Sequence, residues 1–404
     1  MAAMMNEETS DSSENDVKSD DVLPTQSLLV AAVTKRVLQV LSKKDKECHK
    51  RRKRQQKRHG SKRQRALNTP EENATCSVNA VELWRCLQIV IYTEQQIQSL
   101  RECLHLYMKV IGPNDTFRDY ITGSRGEGFH FDWSDIDILS TSIAEYVSMD
   151  NRLMHPRCKY IAIDKDCQPG YCKLLYRARS QHTDVKYRYL SRDSFLDEKI
   201  YFSINSNSDI HVHGPCVSTA HGNQNGFDDC HAIPIHTDFS NAFLKNFSTK
   251  FWNNVKTKVI NENVTVMLCI SKGPENGDDE GHQWLISFCV LEQYIVHSFN
   301  HVQFCCYGLM KILLHSEIDS CSDTKDTLSS YHLKTTLFHV LEDVHSDFWI
   351  PQNIFYCIRI CLTRLLSYVV KRFCPHYYIL LHTDMFDTIV VVRSQKILSS
   401  LFQT

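Results

Sequence analysis

Two aspartates separated by one residue, Asp135 and Asp137, follow a glycine-rich stretch that begins at Gly123. Successive side chains of a β-strand point to opposite faces, so both carboxylates are predicted to project from one face of a strand. Carboxylates this close repel one another unless a cation lies between them. Because Mg²⁺ binds through one or two carboxylates together with substrate phosphates, the pattern predicts a divalent-metal site.

The glycine-rich stretch itself predicts a phosphate site. Gly123, Gly126 and Gly128 are typical of a tight turn, whose backbone N–H groups can bind phosphate together with the Ser124 hydroxyl. A Gly-Ser pair followed by a short insert and Asp-x-Asp resembles the pattern with which the nucleotidyltransferase fold holds a nucleoside triphosphate and its metal ions. The alternative is a solvated turn, which fits Asp-x-Asp alone better than it fits the joint pattern.

A second acidic pair, Asp228-Asp229, leads into a short apolar segment. If this segment is a strand, Asp228 and Asp229 point to opposite faces. One of them near Asp135 and Asp137 would complete a three-carboxylate, two-metal site, and Asp228 is the first choice with Asp229 as the near alternative. The other reading is that the pair only caps a turn.

Composition favours an intracellular globular protein. The 404 residues are long enough for two or three domains or one lobed enzyme, and 42% hydrophobic with 23% charged residues is ordinary for a globular chain. The 17 cysteines are odd in number and scattered, and the acidic start lacks a signal-peptide core, so we expect a cytoplasmic or nuclear location. The most apolar tract, 354–370, carries two arginines, so no membrane span is predicted.

Three segments are predicted along the chain. Residues 1–70 form a disordered tail whose basic run at 43–65 holds 13 Lys and Arg residues, which suits nonspecific nucleic-acid binding, nuclear import or a solvated linker. Residues 71–283 form a core that includes a continuous helix over Val78–Ile111, and residues 284–404 form a helical part with helices near 285–315, 324–342 and 350–374. Strands followed by helices predict a two-lobed α+β protein.

The helical part carries a family likeness. Its stretch Leu328-Ser-Ser-Tyr-His-Leu-Lys-Thr335 resembles the Ser-Ser-Tyr-His-x-Lys-Thr signature of cyclic GMP-AMP synthase (cGAS) and the related Mab (male abnormal) proteins. The segments Trp284–Glu292 and Cys306–Leu314 are similar to further blocks of that family, in the same order. The chain as a whole resembles the cGAS-like receptor and Mab-like group over roughly residues 75–390.

The resemblance implies an α+β, two-lobed nucleotidyltransferase fold with a long spine helix, a mixed β-sheet catalytic core and a C-terminal helical lobe. It also implies ATP and GTP as substrates, Mg²⁺ or Mn²⁺ as cofactor, double-stranded nucleic acid as activator and a cyclic dinucleotide as product. By matching positions, the catalytic metal ligands are Asp135, Asp137 and Asp228, and the nucleotide-binding residues are Ser124, Lys311, Ser330 and Tyr331.

Three departures from the family pattern shape the expectations. The family's arginine after the tryptophan of the Trp-x-x-Ser-Phe block is Leu285, and the bulky stretch Phe129–Trp133 replaces small residues before the acids. The zinc-binding insertion of cGAS is absent, and the neighbouring Cys305 and Cys306 would point about 100° apart on a helix, so zinc is not expected. Without that insertion, double-stranded RNA is favoured over DNA.

The sequence therefore predicts an intracellular nucleotidyltransferase, an innate immune receptor of the cGAS-like class that makes a cyclic or linear dinucleotide, with no membrane partner and a homodimer formed on the ligand. One alternative is a catalytically inactive Mab-like scaffold that binds nucleotide or protein. A second alternative is a transferase that adds nucleotides to RNA ends, which the Ser-Ser-Tyr-His-Leu-Lys-Thr block disfavours.

Overall fold

A computed structural model describes the chain over most of its predicted core and helical part. The described residues are 35, 70–111, 117–149, 157–178, 186–203, 210–213, 215–219, 227–236, 249–274, 281–320, 322, 328–378 and 384–385. The predicted disordered tail 1–70, with its basic run 43–65, lies outside these residues except for Lys35 and Pro70.

Helices and strands alternate irregularly along the described chain. The helices are α1 Pro70–Val90, α2 Glu94–Ile111, α3 Gly123–Glu127, α4 Arg192–Ser203, α5 Thr249–Asn261, α6 Cys289–His297, α7 His301–Leu313, α8 Ser330–Asp343 and α9 Ile354–Lys371. The strands are β1 Phe117–Thr122, β2 Ile136–Ser142, β3 Tyr146–Ser148, β4 Cys158–Ile163, β5 Tyr171–Ala178, β6 Lys186–Tyr189, β7 Ile210–His213, β8 Cys216–Thr219, β9 Phe227–His236, β10 Leu268–Ile270 and β11 Gln283–Ser287.

All of these strands belong to one mixed sheet, as the α+β prediction requires. The main path runs β1-β2-β9-β10-β11-β5-β4-β3, with β6 beside β5 and the β7–β8 hairpin beside β9. β3 also pairs with β9, so part of the sheet closes on itself. β2 is parallel to β9 while β1 is antiparallel to β2, so β2 lies between its two partners with its acidic end next to the start of β9.

The prediction of one continuous helix over Val78–Ile111 is wrong. The helix breaks between α1 and α2, where Tyr92 adopts a left-handed φ of 71°. Thr93 then restarts the helix as its N-cap: the Thr93 backbone N donates to Gln96 Oε1 at 2.9 Å and the Gln96 backbone N donates to Thr93 Oγ1 at 3.4 Å. The sequence contains the Thr-x-x-Gln pattern of a capping box here, but the apolar stripe continues across it and favoured one unbroken helix.

The helical part begins later than predicted. Residues 283–287 form β11, which pairs with β5 and β10, so the predicted helix over 285–315 is replaced by a strand followed by α6 and α7. Trp284 is fully buried there, and its indole N–H donates to the Leu190 carbonyl. A strand with alternate large apolar residues resembles a buried helix over five residues, which explains the misassignment.

Helix α9 combines length and apolar character. The stretch Pro351–Lys371 is long and apolar enough to cross a membrane by length and composition, and half of its most apolar window is buried inside the protein. α9 packs against α7 and α8, with Cys357, Ile358 and Cys361 fully buried. Buried core helices meet the same criteria of length and composition, so this stretch is weak evidence for a membrane span.

A glycine in α7 allows close packing of this helix against Ile91 and Phe129. A Cβ atom added at Gly308 would lie 2.7 Å from Ile91 Cδ1 and 2.8 Å from Phe129 Cε1. We expect Gly308→Ala to lower the free energy of unfolding by about 1–2 kcal/mol, because overpacking outweighs the helix propensity gained. Urea unfolding followed by circular dichroism measures the change.

The matched control removes one of the two clashing atoms. Ile91→Val deletes Cδ1, so the double variant Ile91→Val/Gly308→Ala should lose less stability than the sum of the single variants. Strict additivity would contradict this packing interpretation.

Candidate active site

The glycine-rich stretch forms one short helical turn, α3, directly after β1. Gly123 starts it with a left-handed φ of 60°. A Cβ atom at this position would lie 1.7 Å from Asp137 Oδ2. Only glycine allows the turn to approach the Asp137 carboxylate this closely, so the turn and the acidic strand form one unit.

Three aspartates converge beneath this turn. Asp135, Asp137 and Asp228 each offer a carboxylate oxygen, and these three oxygens lie within 4.8 Å of one another. The pairing of β2 with β9 causes the convergence, because its register sets Asp137 directly beside Asp228. Asp135 precedes β2 by one residue and is exposed, whereas Asp137 and Asp228 are partly buried.

The electrostatics of the cluster favour a cation. Burial raises the pKa of Asp137 to about 6, with further contributions in the same direction from Asp135 and Asp228 and an opposing one from Lys311. Three carboxylate oxygens are hard ligands of the kind that Mg²⁺ and Mn²⁺ prefer. The residues present therefore fit a divalent-metal site, with positive charge relieving their repulsion.

Asp229 faces away from the cluster, as the alternation along β9 predicts. Its Oδ1 accepts a hydrogen bond from Ser140 Oγ at 3.1 Å, and its Oδ2 lies 3.6 Å from His231 Nε2. Ser140 belongs to the opposite face of β2 from Asp137. Of the two alternatives for the third carboxylate, the geometry places Asp228 with the pair.

Ser124 and Lys311 meet although 187 positions separate them. Lys311 lies on α7 and donates a hydrogen bond through Nζ to Ser124 Oγ at 2.7 Å. It also lies over the rings of Phe129 and Tyr307, 5.4 and 4.9 Å from their centroids. A buried ammonium is thus held at the glycine turn, on the same turn that approaches Asp137, where an anionic ligand can use both groups.

The helical part also matches a known family. Residues 303–401 match the Mab-21 protein HhH/H2TH-like domain. Over 123 residues the chain is 28% identical to the cyclic GMP-AMP synthase of Mus musculus, a stretch covering 26% of this chain and 24% of that protein. The resemblance to the Mab-21 and cGAS-like nucleotidyltransferase family is confirmed. The chain therefore spans about a quarter of the length of the curated relative it matches.

Within the Mab-21 domain, Ser330 and Tyr331 lie at the start of α8. The backbone N of Ser329 donates to His332 Nδ1 at 3.0 Å, which fixes this helix start. The Tyr331 hydroxyl lies 3.0 Å from His376 Nε2. Both predicted nucleotide-binding residues are partly buried. The structure thus ties Tyr331 to His376, which follows α9, while Lys311 reaches the glycine turn.

The bulky stretch Phe129–Trp133 packs into the Mab-21 domain. Phe129 is buried and stacks on Phe304 of α7 with ring centroids 4.1 Å apart. Phe131 stacks on Trp133, whose other partner is His315 at 4.2 Å. The Phe129–Phe304 stack packs the residue after the glycine turn against α7. The bulky stretch therefore serves packing between the two parts of the chain.

The other departures from the family pattern occupy packed positions. Leu285 is partly buried on β11, opposite Tyr171 and Ile270. Cys305 and His301 touch along one face of α7, with Sγ 3.6 Å from Nε2. His301 also contacts Gln88 of α1. These contacts account for the His-Cys pair as packing between α1 and α7, and the expectation that no zinc binds there stays a prediction.

Sequence reasoning missed the residues that hold the glycine turn from behind. Arg101 of α2 donates two hydrogen bonds to the Glu127 carbonyl, at 3.1 and 2.7 Å. The Gly126 carbonyl accepts from Gln293 Nε2 at 2.8 Å and from His297 Nε2 at 2.9 Å. Burial lowers the pKa of His297 to about 3, so the ring is neutral and donates this proton.

Three charged residues were missed as well: Glu127, Glu292 and Lys334. The two glutamates are buried, and Lys334 contacts both of them, with its Nζ 2.7 Å from Glu127 and 2.8 Å from Glu292. Their positions in the glycine stretch and in the two family-like blocks were the signal available, but an isolated charged residue in a sequence is normally read as exposed.

The two aspartates at 228 and 229 provide a matched pair for testing the metal site. Asp228→Asn should weaken Mn²⁺ binding by more than about tenfold, since even the partners of metal ligands contribute that much. Asp229→Asn should leave Mn²⁺ binding unchanged, because Asp229 faces Ser140. Titration calorimetry on both variants checks the assignment, and the reverse order of effects would refute it.

The raised pKa of Asp137 predicts how stability depends on pH without metal. The folded state binds a proton more tightly than the unfolded state, so the free energy of unfolding falls as pH rises from about 4 through about 6. Asp137→Asn should therefore stabilise the metal-free protein at pH 7.5 by roughly 1–2 kcal/mol. Thermal denaturation in EDTA measures this, with the exposed Asp347→Asn as a control that should show no change.

Proposed function

We propose that the protein is a metal-dependent nucleotidyltransferase that joins ATP and GTP into a cyclic or linear dinucleotide. The observation that carries the proposal is the convergence of Asp135, Asp137 and Asp228 beneath a glycine turn whose Ser124 hydroxyl is bonded to Lys311. Carboxylates for metal and a hydroxyl–ammonium pair for phosphate lie on one small unit, which is the requirement of nucleotidyl transfer.

Each of these residues has a role in the proposed reaction. The three aspartates hold the divalent ions, which when bound would neutralise the triphosphate and activate the attacking sugar hydroxyl. The Ser124 hydroxyl donates a hydrogen bond to a phosphate oxygen, and Lys311 offsets negative charge on the same phosphates. Catalysis then comes from positioning and charge neutralisation rather than from a covalent intermediate.

We assign the remaining family positions to a cleft between two lobes. The sheet with its glycine turn is one wall, and the helices α7 and α8 are the other. Ser330 contacts the donor phosphates and Tyr331 stacks on a nucleobase, as the matching family positions do. The helices α1 and α2 brace both lobes as the spine.

The activating ligand in this proposal is double-stranded nucleic acid, with RNA favoured over DNA. The relative named cyclic GMP-AMP synthase supports the product class, and the basic run 43–65 supports a polyanionic ligand. Lys109 and Arg118 are exposed on and beside α2 and can add to phosphate contacts. The protein acts as an innate immune receptor in the cytoplasm or nucleus and dimerises on its ligand.

A product assay tests the proposal. Purified protein is incubated with ATP, GTP and Mg²⁺ or Mn²⁺, with duplex RNA, duplex DNA or no nucleic acid, and products are separated by chromatography and identified by mass spectrometry. Wild type should make a dinucleotide, most with duplex RNA, and Asp137→Ala should lower the rate by at least about 100-fold because it removes a metal ligand.

Asp229→Ala is the matched control and should retain activity, since its side chain lies on the opposite face of β9. Absence of product from wild type and Asp137→Ala alike, under every condition, would overturn the enzymatic proposal. ATP binding without turnover in that case would leave the inactive scaffold as the function.

A further inference from the structure

Four charged side chains form a buried cluster behind the glycine turn. Glu127, Glu292 and Lys311 are only 2%, 3% and 5% exposed, and the Lys334 side chain is 12% exposed. The cluster holds two negative and two positive charges. Removing ions from water costs several kcal/mol per ion unless partners and hydrogen bonds offset it, so loss of a single member would leave an uncompensated buried charge.

Lys334 is the member that joins three elements. Its ammonium contacts Glu127 Oε1 of α3 at 2.7 Å and Glu292 Oε2 of α6 at 2.8 Å, while its own backbone belongs to α8. Although burial acts in the opposite direction, the lysines lower the pKa of Glu127 and the glutamates raise the pKa of Lys334. Glu127 and Lys334 are therefore both ionised in the folded protein.

Lys311 has two acceptors within reach and bonds to one of them. Its Nζ lies 2.7 Å from Ser124 Oγ but 3.7 Å from Glu127 Oε2, which is beyond hydrogen-bond length. Because the Ser124 oxygen accepts from Lys311, the hydroxyl proton must point elsewhere and Ser124 can act as a donor. A donor is what a phosphate oxygen requires at this position.

We propose that Lys334 is a positioning residue for triphosphate binding: by pairing with Glu127 Oε1 and offsetting the charge of that carboxylate, it leaves Lys311 bonded to Ser124 and fixes the glycine turn against α6 and α8. Without Lys334, the carboxylate of Glu127 would attract Lys311 and draw it off Ser124. α8 begins at Ser330, four residues before Lys334. The same ammonium therefore holds both the glycine turn and the start of α8 in place. The inference rests on the proposed function of the same site.

A charge-balanced variant tests this without leaving a lone buried charge. Glu292→Gln/Lys334→Met removes one negative and one positive charge, and Glu127 and Lys311 remain as a neutral pair. ATP with Mg²⁺ should bind about 10- to 100-fold more weakly by calorimetry, the loss of one charge-assisted hydrogen bond. Adenosine, followed by ligand-observed NMR, should bind unchanged because it has no phosphate.

The control removes an ion pair that also involves α8 but lies away from the buried cluster. Arg364 Nη2 of α9 lies 2.6 Å from Asp343 Oδ2 of α8, and these side chains are 33% and 60% exposed. Asp343→Asn/Arg364→Met should therefore leave ATP and adenosine binding as in wild type. Equal losses of ATP and adenosine affinity in the Glu292→Gln/Lys334→Met variant would indicate general loosening and overturn the inference.

Hydrogen exchange without nucleotide gives a readout independent of activity. Backbone amides of residues 124–128 should exchange faster in Glu292→Gln/Lys334→Met than in wild type or the control. Unchanged exchange there overturns the inference whether or not ATP binds. A wild type that binds no ATP refutes the proposed function instead, and the exchange result alone then decides the role of Lys334.

A second variant covers the case in which the double substitution prevents folding. Lys334→Arg keeps the charge but replaces the compact ammonium with a planar fork, so the contacts to the two glutamates cannot both keep their geometry. It should also weaken ATP binding more than adenosine binding and speed exchange at residues 124–128. Wild-type behaviour in both measurements would count against the proposal.

Discussion

The parallel pairing of β2 with β9 is the constraint on which the candidate site depends. Its register sets Asp137 beside Asp228, so two carboxylates from distant parts of the sequence share one face. The glycine turn then lies so close to Asp137 that no side chain fits at Gly123. A one-residue shift of this pairing would reverse the faces of β9 and bring Asp229 to the site in place of Asp228.

Two groups of charges face each other across the glycine turn. The aspartates in front are partly open to solvent and repel one another, whereas the glutamates and lysines behind are enclosed and balanced. Lys311 belongs to both groups. Its ammonium offsets the charge of Glu127 behind the turn, and it also opposes the rise in the pKa of Asp137 in front of the turn. The fold keeps the unbalanced charge where a ligand can reach it and the balanced charge where water cannot.

Features of the site that depend on local sequence patterns were predictable, whereas those that depend on long-range contacts were not. Alternation along a strand was enough to place Asp135 with Asp137 and to separate Asp228 from Asp229. The mixed sheet and the helical C-terminal part followed from the order of patterns. The break at Tyr92 was missed because an apolar stripe continued through it, and Lys334 was missed because pairing with acids 42 and 207 positions away is invisible in periodicity.

The break between α1 and α2 gives the two helices different packing partners. α1 packs on α9 and on the short turn Pro351–Asn353, whereas α2 packs on β1 and, through Arg101, holds the carbonyl end of the glycine turn. The left-handed residue Tyr92 lets the two helices run in different directions. α1 therefore meets α7 through Gln88 and His301, and Phe304 of α7 in turn stacks on Phe129 beside the glycine turn.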